Sequence, residues 1–340
     1  MATNIGVVGY GYWGSKHVRV LTSVPGIDVH VIDGDTMRRS YAGSAFPNVV
    51  THGRLDEVLD DLDGIVIATP PSTHADLALE ALDQGVHCLV EKPMALTTDD
   101  CIDLIDRAKH NDAVLMVGHT FEYNAGVWKM RELIEMGELG DVLYIDTARL
   151  NLGLYQRDVS VLWDLGPHDV SILNFLLRST PNRVMAMAEA HRGPHADVAT
   201  LILYYDEIGV TTYSRLSWLD PVKVRRVTVV GSRKMCVNND TSNERIRLYD
   251  AGVDAQGPDD RFHEAPLEYR YGEIISPHVP FDEPLLVEDR HFVDCVAEGK
   301  QPDSDGYSGL AVVRVLEAAE RSLVEGRTVE VQPVDLPALR

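Results

Sequence analysis

Hydrophobic and polar positions follow two different patterns along the chain. In residues 1–122, short apolar runs such as Gly64–Ala68 and Val86–Val90 alternate with segments of helical periodicity such as Thr73–Gln84 and Thr97–His110. A continuous apolar run is typical of a strand buried on both faces, whereas a 3.6-residue period indicates an amphipathic helix. Regular strand–helix alternation predicts a doubly wound parallel sheet with right-handed crossovers. Residues 1–122 are therefore predicted to form one α/β domain.

The pattern changes in residues 123–340, where strand-like segments follow one another through short turns. They are Val142–Leu150, Val184–Ala190, Val198–Tyr205, Gly209–Trp218, Val224–Val230 and Arg245–Tyr249. Consecutive strands favour an open, mostly antiparallel sheet with helices on one face, so this half is predicted to be an α+β domain. Ala251–Asp260 is predicted to be an exposed loop because it is rich in Gly, Asp and Pro. A helical region at about 305–325 is expected to pack back on the first domain.

Composition narrows the possible partners. The 340 residues include 53 acidic and 31 basic side chains, which gives a formal net charge of −22. Such a surface disfavours nucleic acid and anionic membranes and tolerates a cationic ligand, although solubility alone also accounts for it. The four cysteines form no C-x-x-C pair, and no leader-like segment is evident. No apolar run approaches the roughly 18 residues that a membrane helix needs. We therefore expect a reduced, cytoplasmic protein without a metal site or a disulfide framework.

A glycine-rich turn marks a candidate phosphate site. Gly9, Gly11 and Gly14 form G-x-G-x-x-G between a strand and a helix. In this context the first glycine permits a tight turn, the second lets the backbone approach a pyrophosphate, and the third lets helix and strand pack closely. The N–H groups at the start of the helix then face the phosphates. This context predicts a dinucleotide cofactor.

The acidic residue at the end of the second strand bears on which dinucleotide binds. Asp33 can accept both hydroxyls of the adenine ribose and would repel a 2′-phosphate, so NAD is favoured over NADP. Arg38 and Arg39 lie close enough in sequence to keep NADP as the alternative, because arginine binds phosphate well.

Two further segments carry candidate catalytic chemistry. Lys92 follows directly on a predicted strand, where ligands bind in open α/β sheets. Asp164 and His168 are four residues apart and share a face if their segment is helical. Oxidation of an alcohol needs a base for the hydroxyl proton and a cation near the developing alkoxide. Histidine and lysine supply these roles, and aspartate can fix the histidine tautomer.

Taken together, the motifs resemble the Gfo/Idh/MocA oxidoreductase family. They are GYGYWG at 9–14, ATPPSTH at 68–74, EKP at 91–93, WDLGPHD at 163–169 and the helical stretch 292–323. The resemblance implies a Rossmann domain that holds NAD(P), a sheet domain that shapes the substrate site and often drives oligomerisation, and a lysine that often precedes a cis proline. It implies Lys92, Asp164 and His168 as catalytic residues. Which of Lys92, His168 or a tyrosine, Tyr123 or Tyr155, accepts the proton stays open.

The resemblance extends to the branch that acts on sugars at C3. Related nucleotide-hexuronate enzymes carry an arginine where this chain has Glu122, and an acidic side chain there favours an ammonium-bearing substrate such as an aminosugar or aminoglycoside. The cofactor-binding candidates are Gly9, Gly11, Tyr12, Trp13, Gly14, Asp33, Thr69, Pro70, Pro71, His74, Glu91 and Lys92. The substrate-binding candidates are Glu122, Tyr123, Asn124, Arg149, Asn151, Tyr155, Arg157, Trp163 and His168.

The predicted function is NAD-dependent oxidation of a secondary sugar hydroxyl to a ketone in a biosynthetic pathway, by a homo-oligomeric enzyme. An NADPH-dependent 3-ketosugar reductase and a nucleotide-sugar 3-dehydrogenase are alternatives within the same class. An NAD-dependent glycosidase and a non-catalytic nucleotide-sensing protein are alternatives of other classes.

Overall fold

The computed structural model describes residues 3–153, 155–156, 158–255 and 267–334. These residues form two compact units. The first contains residues 3–123, 282–317 and 334, and the second contains the described parts of 124–281 together with 318–333. The division after Tyr123 lies beside the expected boundary, but residues 282–317, expected in the second domain, belong to the first unit.

The first unit is built on a six-stranded parallel sheet. Its strands are β1 (Thr3–Val8), β2 (Ile27–Ile32), β3 (Val50–His52), β4 (Gly64–Ile67), β5 (His87–Glu91) and β6 (Leu115–Gly118). The intervening helices are α1 (Tyr12–Leu21), α2 (Thr36–Ala45), α3 (His74–Asp83) and α4 (Thr98–His110). The strand order is β3-β2-β1-β4-β5-β6, and every neighbouring pair is parallel. The doubly wound prediction is confirmed.

Apolar runs occupy the centre of this sheet, as expected for strands covered on both faces. Ile5, Val7, Ile65 and Leu89 are completely buried. The chain order reverses between β1 and β4, so a crevice for ligands is expected outside the carboxyl ends of these strands. Helix α3 begins at His74, because Thr73 closes a short 3₁₀ turn and its hydroxyl donates back to the carbonyl of Pro70 at 2.8 Å.

The second unit is built on a nine-stranded sheet. Its strands are β7 (Val142–Leu152), β8 (Arg183–Glu189), β9 (Val198–Tyr205), β10 (Val210–Ser217), β11 (Leu219–Gly231), β12 (Met235–Asn239), β13 (Ile246–Ala255), β14 (Leu267–Ile275) and β15 (Val329–Glu330). Their order is β14-β13-β12-β11-β7-β10-β9-β8-β15. Only β7 and β10 are paired in parallel among these described strands, which confirms a mostly antiparallel sheet.

Helices α5 (Ala125–Glu135) and α6 (Val161–Leu177) pack against strands of this second sheet. The chain then forms α7 (Pro284–Glu298), which lies in the first unit, and α8 (Gly306–Glu325), whose residues are divided between the units at Glu317.

The loop prediction for Ala251–Asp260 is wrong for its first half. Residues 251–255 continue β13, where Ala251 pairs with Tyr271 of β14, because the ladder of hydrogen bonds outweighs the low strand propensity of Gly and Asp. Residues 256–260 lie outside the described residues.

None of the described helices combines the length and the apolar character that a membrane crossing requires. All four cysteines are free and buried.

Candidate functional site

The glycine-rich turn joins β1 to α1 in the geometry that each glycine position requires. Gly9 has φ of 90°, which L side chains rarely adopt. A Cβ at Gly14 would lie 1.7 Å from the carbonyl oxygen of Gly9, whereas a Cβ at Gly11 would meet nothing within 4 Å. No side chain caps the first turn of α1. The backbone is therefore open above Gly11, and the N–H groups of the helix start are available to an anion.

Asp33 lies directly after β2 and is held in place by the backbone. Its Oδ2 accepts from the N–H of Tyr10 at 2.7 Å, and its Oδ1 accepts from the N–H of Asp35 at 2.8 Å. Arg38 places Nη1 3.5 Å from Oδ2 of Asp33, while Arg39 donates to the Asp33 carbonyl at 2.6 Å. The carboxylate is thus fixed at the end of β2 with one arginine beside it.

An aromatic pair follows the glycine turn at the start of α1. Tyr12 and Trp13 pack edge to face with ring centroids 5.7 Å apart, and Nζ of Lys16 lies 4.4 Å from the Tyr12 centroid. Tyr12 is exposed. Lys16, which sequence reasoning did not select, adds a positive charge near the phosphate candidate site.

His74 links two loops at the carboxyl edge of the first sheet. Its Nδ1 lies 2.9 Å from the carbonyl oxygen of Pro93, and its Nε2 lies 2.9 Å from that of Thr69. Burial lowers the pKa of His74. The neighbouring Pro70 carbonyl and Pro71 belong to the 3₁₀ turn that leads into α3. His74 therefore braces the loop after β4 against the loop after β5.

Lys92 directly follows the last residue of β5. The peptide bond between Lys92 and Pro93 is cis. Glu91 is buried, and its Oε2 accepts from the Lys92 N–H at 3.1 Å. Lys92 itself is half-buried, so its side chain is held between solvent and the protein interior.

The end of β6 contributes a histidine that sequence reasoning missed. His119 is 1% exposed, and neither ring nitrogen has a hydrogen-bond partner among the residues that the structure describes. Burial lowers its pKa to about 4, with smaller effects from Glu91 and Lys92. A neutral, unsatisfied imidazole next to the lysine loop is costly and therefore a candidate for ligand contact. Its only sequence signal was its position directly after an apolar strand.

Glu122 and Tyr123 lie in the 3₁₀ turn after β6. Glu122 is buried, so it does not point to solvent. The hydroxyl of Tyr123 lies 2.9 Å from Oγ of Ser304, which donates to the Val117 carbonyl at 2.7 Å. Burial raises the pKa of Tyr123 well above its usual value. The structure thus gives Tyr123 a packing role in the core of the first unit.

In the second unit, α6 carries the predicted catalytic pair. Asp164 and His168 are four residues apart on this helix, which places them on one face. Nε1 of Trp218 donates to Oδ2 of Asp164 at 3.0 Å. Trp218 is buried, and its indole orients Asp164.

Two predicted sugar-site residues, Arg149 and Asn124, have partners within the protein. Nε of Arg149 donates to Oδ1 of Asp169 at 2.8 Å, and Thr147 donates to Oδ2 of the same carboxylate at 2.9 Å. Asn124 caps α5, since its Oδ1 accepts from the N–H of Gly126 at 2.8 Å. Both side chains are buried. A salt bridge and a helix cap account for them without a ligand.

The remaining sugar-site candidates are Trp163, Asn151 and Arg157. Nε1 of Trp163 donates to Glu320 at 2.7 Å. Asn151 is half-buried near the end of β7. Arg157 lies outside the described residues.

Tyr155 belongs to a network around a buried aspartate. Its hydroxyl donates to Oδ2 of Asp197 at 3.2 Å, and its ring packs on Trp218 with centroids 5.2 Å apart. Asp197 also contacts Nδ1 of His191 at 2.8 Å. Burial and the Asp197 charge raise the pKa of Tyr155. No cluster of metal-ligating side chains occurs in the described part of the chain.

Two family models match the chain. Residues 3–119 match the GFO_IDH_MocA model, described as an oxidoreductase family with an NAD-binding Rossmann fold. Residues 127–237 match the GFO/IDH/MocA C-terminal domain. The prediction of NAD as the cofactor is therefore confirmed.

Several relatives share part or all of the chain. An uncharacterized oxidoreductase of Streptococcus pneumoniae is 29% identical over 229 residues, which cover 63% of this chain and 61% of the relative. The UDP-N-acetylglucosamine 3-dehydrogenase of Acidithiobacillus ferrooxidans is 30% identical over 201 residues, 57% of this chain and 61% of the relative. The chain thus aligns with less than two thirds of the length of either relative.

A solved structure is similar over almost the whole chain. GenD2 from gentamicin A biosynthesis, crystallised in complex with NAD, superposes with a TM-score of 0.82 at 26% identity and covers 97% of each chain.

Proposed function

Because the chain belongs to the Gfo/Idh/MocA oxidoreductase family, we propose that it uses NAD to oxidise a secondary hydroxyl, at C3, of a sugar or aminosugar to a ketone. The observation that carries the proposal is the position of Lys92 at the carboxyl end of β5, in the unit that matches the NAD-binding model. A lysine there lies at the edge of the sheet where such folds bind their ligands.

The residues of the first unit fit a dinucleotide. The open backbone above Gly11 and the uncapped start of α1 suit a pyrophosphate, and a residue with a Cβ at position 14 would collide with Gly9. The fixed carboxylate of Asp33 suits the ribose hydroxyls of NAD. These residues would hold the adenosine diphosphate part of the cofactor.

Bound NAD supplies a hydride acceptor for the carbon that carries the hydroxyl. In our proposal the ammonium of Lys92 stabilises the negative charge that develops on the substrate oxygen. His168 accepts the hydroxyl proton, and Asp164 favours the tautomer of His168 whose unprotonated nitrogen takes that proton. The hydrogen bond from Trp218 to Asp164 supports this role by fixing the carboxylate.

The two tyrosines are weaker candidates for the proton acceptor. Burial raises the pKa of Tyr123, and its hydroxyl is engaged with Ser304. Burial and Asp197 raise the pKa of Tyr155 as well. A raised pKa disfavours the phenolate form that proton abstraction requires, so His168 and Lys92 remain the better candidates.

We extend the proposal to a cationic substrate, a class that includes aminoglycosides, on the basis of Glu122. Its buried position supports a specific contact rather than a solvated surface charge. A carboxylate in this place attracts an ammonium group and repels phosphate or carboxylate groups. The similarity to GenD2 also favours this class.

A nucleotide sugar is the second candidate substrate. The relative from A. ferrooxidans, a UDP-N-acetylglucosamine 3-dehydrogenase, favours it. A diphosphate-bearing substrate would require cationic side chains near the site, which Glu122 does not provide.

The experiment is NADH formation from NAD with a panel of aminoglycosides, free sugars and nucleotide sugars, followed by mass spectrometry of the product. We expect a ketone, two mass units lighter than the substrate, from an amine-bearing member. Lys92→Ala should lower kcat by about a hundredfold or more with NAD affinity retained, and Lys109→Ala is the matched control in the same unit. Turnover of nucleotide sugars alone would contradict the cationic substrate, and release of a free sugar without net NADH would indicate a glycosidase.

The proposal also includes a reduced cytoplasmic location and a homo-oligomer. Tyr144 and Tyr213, on the parallel pair β7 and β10, pack edge to face with centroids 6.2 Å apart and remain exposed. Exposed aromatic side chains on an open sheet favour association between subunits. Light scattering of the purified protein tests this part.

A further inference from the structure

Four ionisable side chains are buried together in the first unit, beside the loop that carries Lys92. His17 comes from α1, Glu91 from β5, and Glu288 and Asp289 from α7. None of them is more than 5% exposed. Buried charges are costly unless they are paired, so the arrangement of this cluster needs an explanation.

His17 connects two of the carboxylates. Its Nδ1 lies 2.8 Å from Oδ1 of Asp289, and its Nε2 lies 3.1 Å from Oε1 of Glu91. The second oxygen of Glu91 accepts from the backbone N–H of Lys92 at 3.1 Å. A continuous series of contacts therefore runs from α7 through α1 to the backbone of Lys92.

Gly118 leaves room for the Glu91 carboxylate. It is paired with Glu91 across β5 and β6. A Cβ at this position would lie 3.1 Å from Cα of Glu91 and 3.3 Å from its Oε2. The space occupied by the carboxylate is thus provided by the neighbouring strand.

The charges of the cluster follow from its contacts. Burial alone would lower the pKa of His17, but Asp289 and Glu91 outweigh it and raise that pKa well above the usual value. Burial would raise the pKa of Glu91, but His17 and Lys92 lower it. Burial raises the pKa of Glu288 well above its usual value, and Thr120 donates to its Oε2 at 2.9 Å. At neutral pH His17 is therefore a cation and Glu91 an anion.

We propose that Asp289, His17 and Glu91 form a positioning relay for Lys92: Asp289 orients and charges His17, His17 holds Glu91, and Glu91 fixes the Lys92 backbone while placing an anion beside its ammonium. This inference rests on the proposed function only in giving Lys92 a role in the reaction. The three residues are positioning residues, since they act through Lys92.

The ammonium of Lys92 is subject to charges from several elements. The ionisable groups that act on Lys92 or on Glu91 are His17, His74, His119, Glu288 and Asp289. Glu91 is adjacent to Lys92 in the chain and is the anion that the relay holds there. Removing the Glu91 carboxylate should therefore change the surroundings of Lys92 more than removing any of the other groups would.

The decisive variant is Glu91→Gln, which keeps the shape of the side chain and removes its charge. The rate at which acetic anhydride acetylates Lys92 is compared with the rate for Lys109 in the same protein, with the labelled peptides quantified by mass spectrometry. We expect this relative rate to rise by about threefold or more in Glu91→Gln, because the charged hydrogen-bond acceptor that holds the Lys92 backbone is lost. Asp294→Asn, an exposed position on the same helix α7, is the matched control and should leave the relative rate unchanged.

Kinetics test the His17 step of the relay. His17→Gln should lower kcat by about tenfold with little change in KM, but should have almost no further effect in the Glu91→Gln background. Independent effects of the two substitutions, or an unchanged relative labelling rate of Lys92 in Glu91→Gln, would overturn the relay. Should Glu91→Gln fail to fold, Gly118→Ala displaces the same carboxylate without removing its charge, and a smaller rise in the relative labelling rate of Lys92 is expected.

The labelling arm separates this inference from the proposed function. If the wild type oxidises no sugar but the relative labelling rate of Lys92 rises in Glu91→Gln, the proposed function fails and the relay stands. If the wild type is active and this rate does not change, the relay alone fails.

Discussion

Nε1 of Trp218 donates a hydrogen bond to Oδ2 of Asp164 across 3.0 Å. Trp218 is fixed in turn by its own backbone, which donates to the Asp197 carbonyl at 3.0 Å and accepts from the Gly153 N–H at 3.0 Å. The indole therefore holds the carboxylate from a rigid part of the second unit. In our proposal this carboxylate orients His168, so the effect of Trp218 should extend to proton transfer.

Trp218→Phe removes this hydrogen bond while retaining most of the packing. A hydrogen bond to a charged group contributes about 1.5–3 kcal/mol, so we expect kcat to fall by at least about tenfold. Steady-state NADH formation checks this. Trp128→Phe, in the same unit but packed on Phe175, is the control. Equal kcat values for the two variants would contradict a role for Trp218 in orienting Asp164.

Asp33→Asn should shift the cofactor preference. The substitution removes the charge that repels a 2′-phosphate but keeps an acceptor oxygen for the N–H of Tyr10, and Arg38 already lies 3.5 Å from this carboxylate. We expect kcat/KM for NADP relative to NAD to rise by about tenfold or more. Asp28→Asn, on the exposed side of β2, should not change the ratio. A wild-type preference for NADP would contradict the assignment of Asp33 to the ribose hydroxyls of NAD.

His17 should make stability depend on pH in one direction. Its folded-state pKa lies above its unfolded value, so the imidazolium contributes stability that is fully present below about pH 6.5 and is lost as pH rises through the folded-state pKa. The difference in unfolding free energy between the wild type and His17→Gln should therefore shrink as pH increases. Urea unfolding across pH measures it, with the exposed His110→Gln as control; a difference that widens with pH would be inconsistent with a charged His17.

Arg149→Met distinguishes a role of Arg149 in substrate binding from a role in stabilising the fold. Loss of the guanidinium leaves the buried Asp169 carboxylate without its cation, which should destabilise the protein by about 3–5 kcal/mol. Adding Asp169→Asn to this variant should recover part of the loss. Chemical unfolding provides the measurement. A variant of normal stability with a much higher substrate KM would restore Arg149 to the sugar site.

His119→Leu tests the unsatisfied imidazole. Because the two nitrogens are buried without partners in the described part of the chain, an apolar side chain should raise the stability of the cofactor-free protein by about 1–2 kcal/mol. If His119 contacts the cofactor, the same change weakens NAD binding. Thermal unfolding and calorimetric titration with NAD measure the two effects, and lower stability without NAD would show that His119 has a structural role.

Local patterns were sufficient for the alternating strands and helices of the first 123 residues, but not for residues 282–317, which the sequence placed in the second domain. The apolar runs and the G-x-G-x-x-G turn predict its strands and phosphate site, because each depends on residues close together in sequence. The strand through Ala251 was missed for the opposite reason, since its partner Tyr271 supplies the hydrogen bonds from another strand.

Contacts within the protein add structural roles to residues that the sequence selected as sugar-site candidates. Arg149 also pairs with Asp169, and Asn124 also caps the start of α5. His17 and Asp289 are 272 positions apart in the chain, so no spacing rule connects them. The burial of His17 and its pairing with Asp289 can therefore be recognised only from the three-dimensional structure.

The parallel pairing of β7 with β10 has a consequence for how the second unit folds. Tyr144 of β7 pairs with Thr211 of β10, and the helix that carries Asp164 and His168 lies within the loop that this pairing closes. The other neighbour of β7 is β11, which is later still in the chain. A nascent β7 therefore leaves the ribosome long before either partner exists, and such non-local pairing folds slowly. Substitutions in α6 should consequently alter the yield of folded protein during synthesis as well as its turnover.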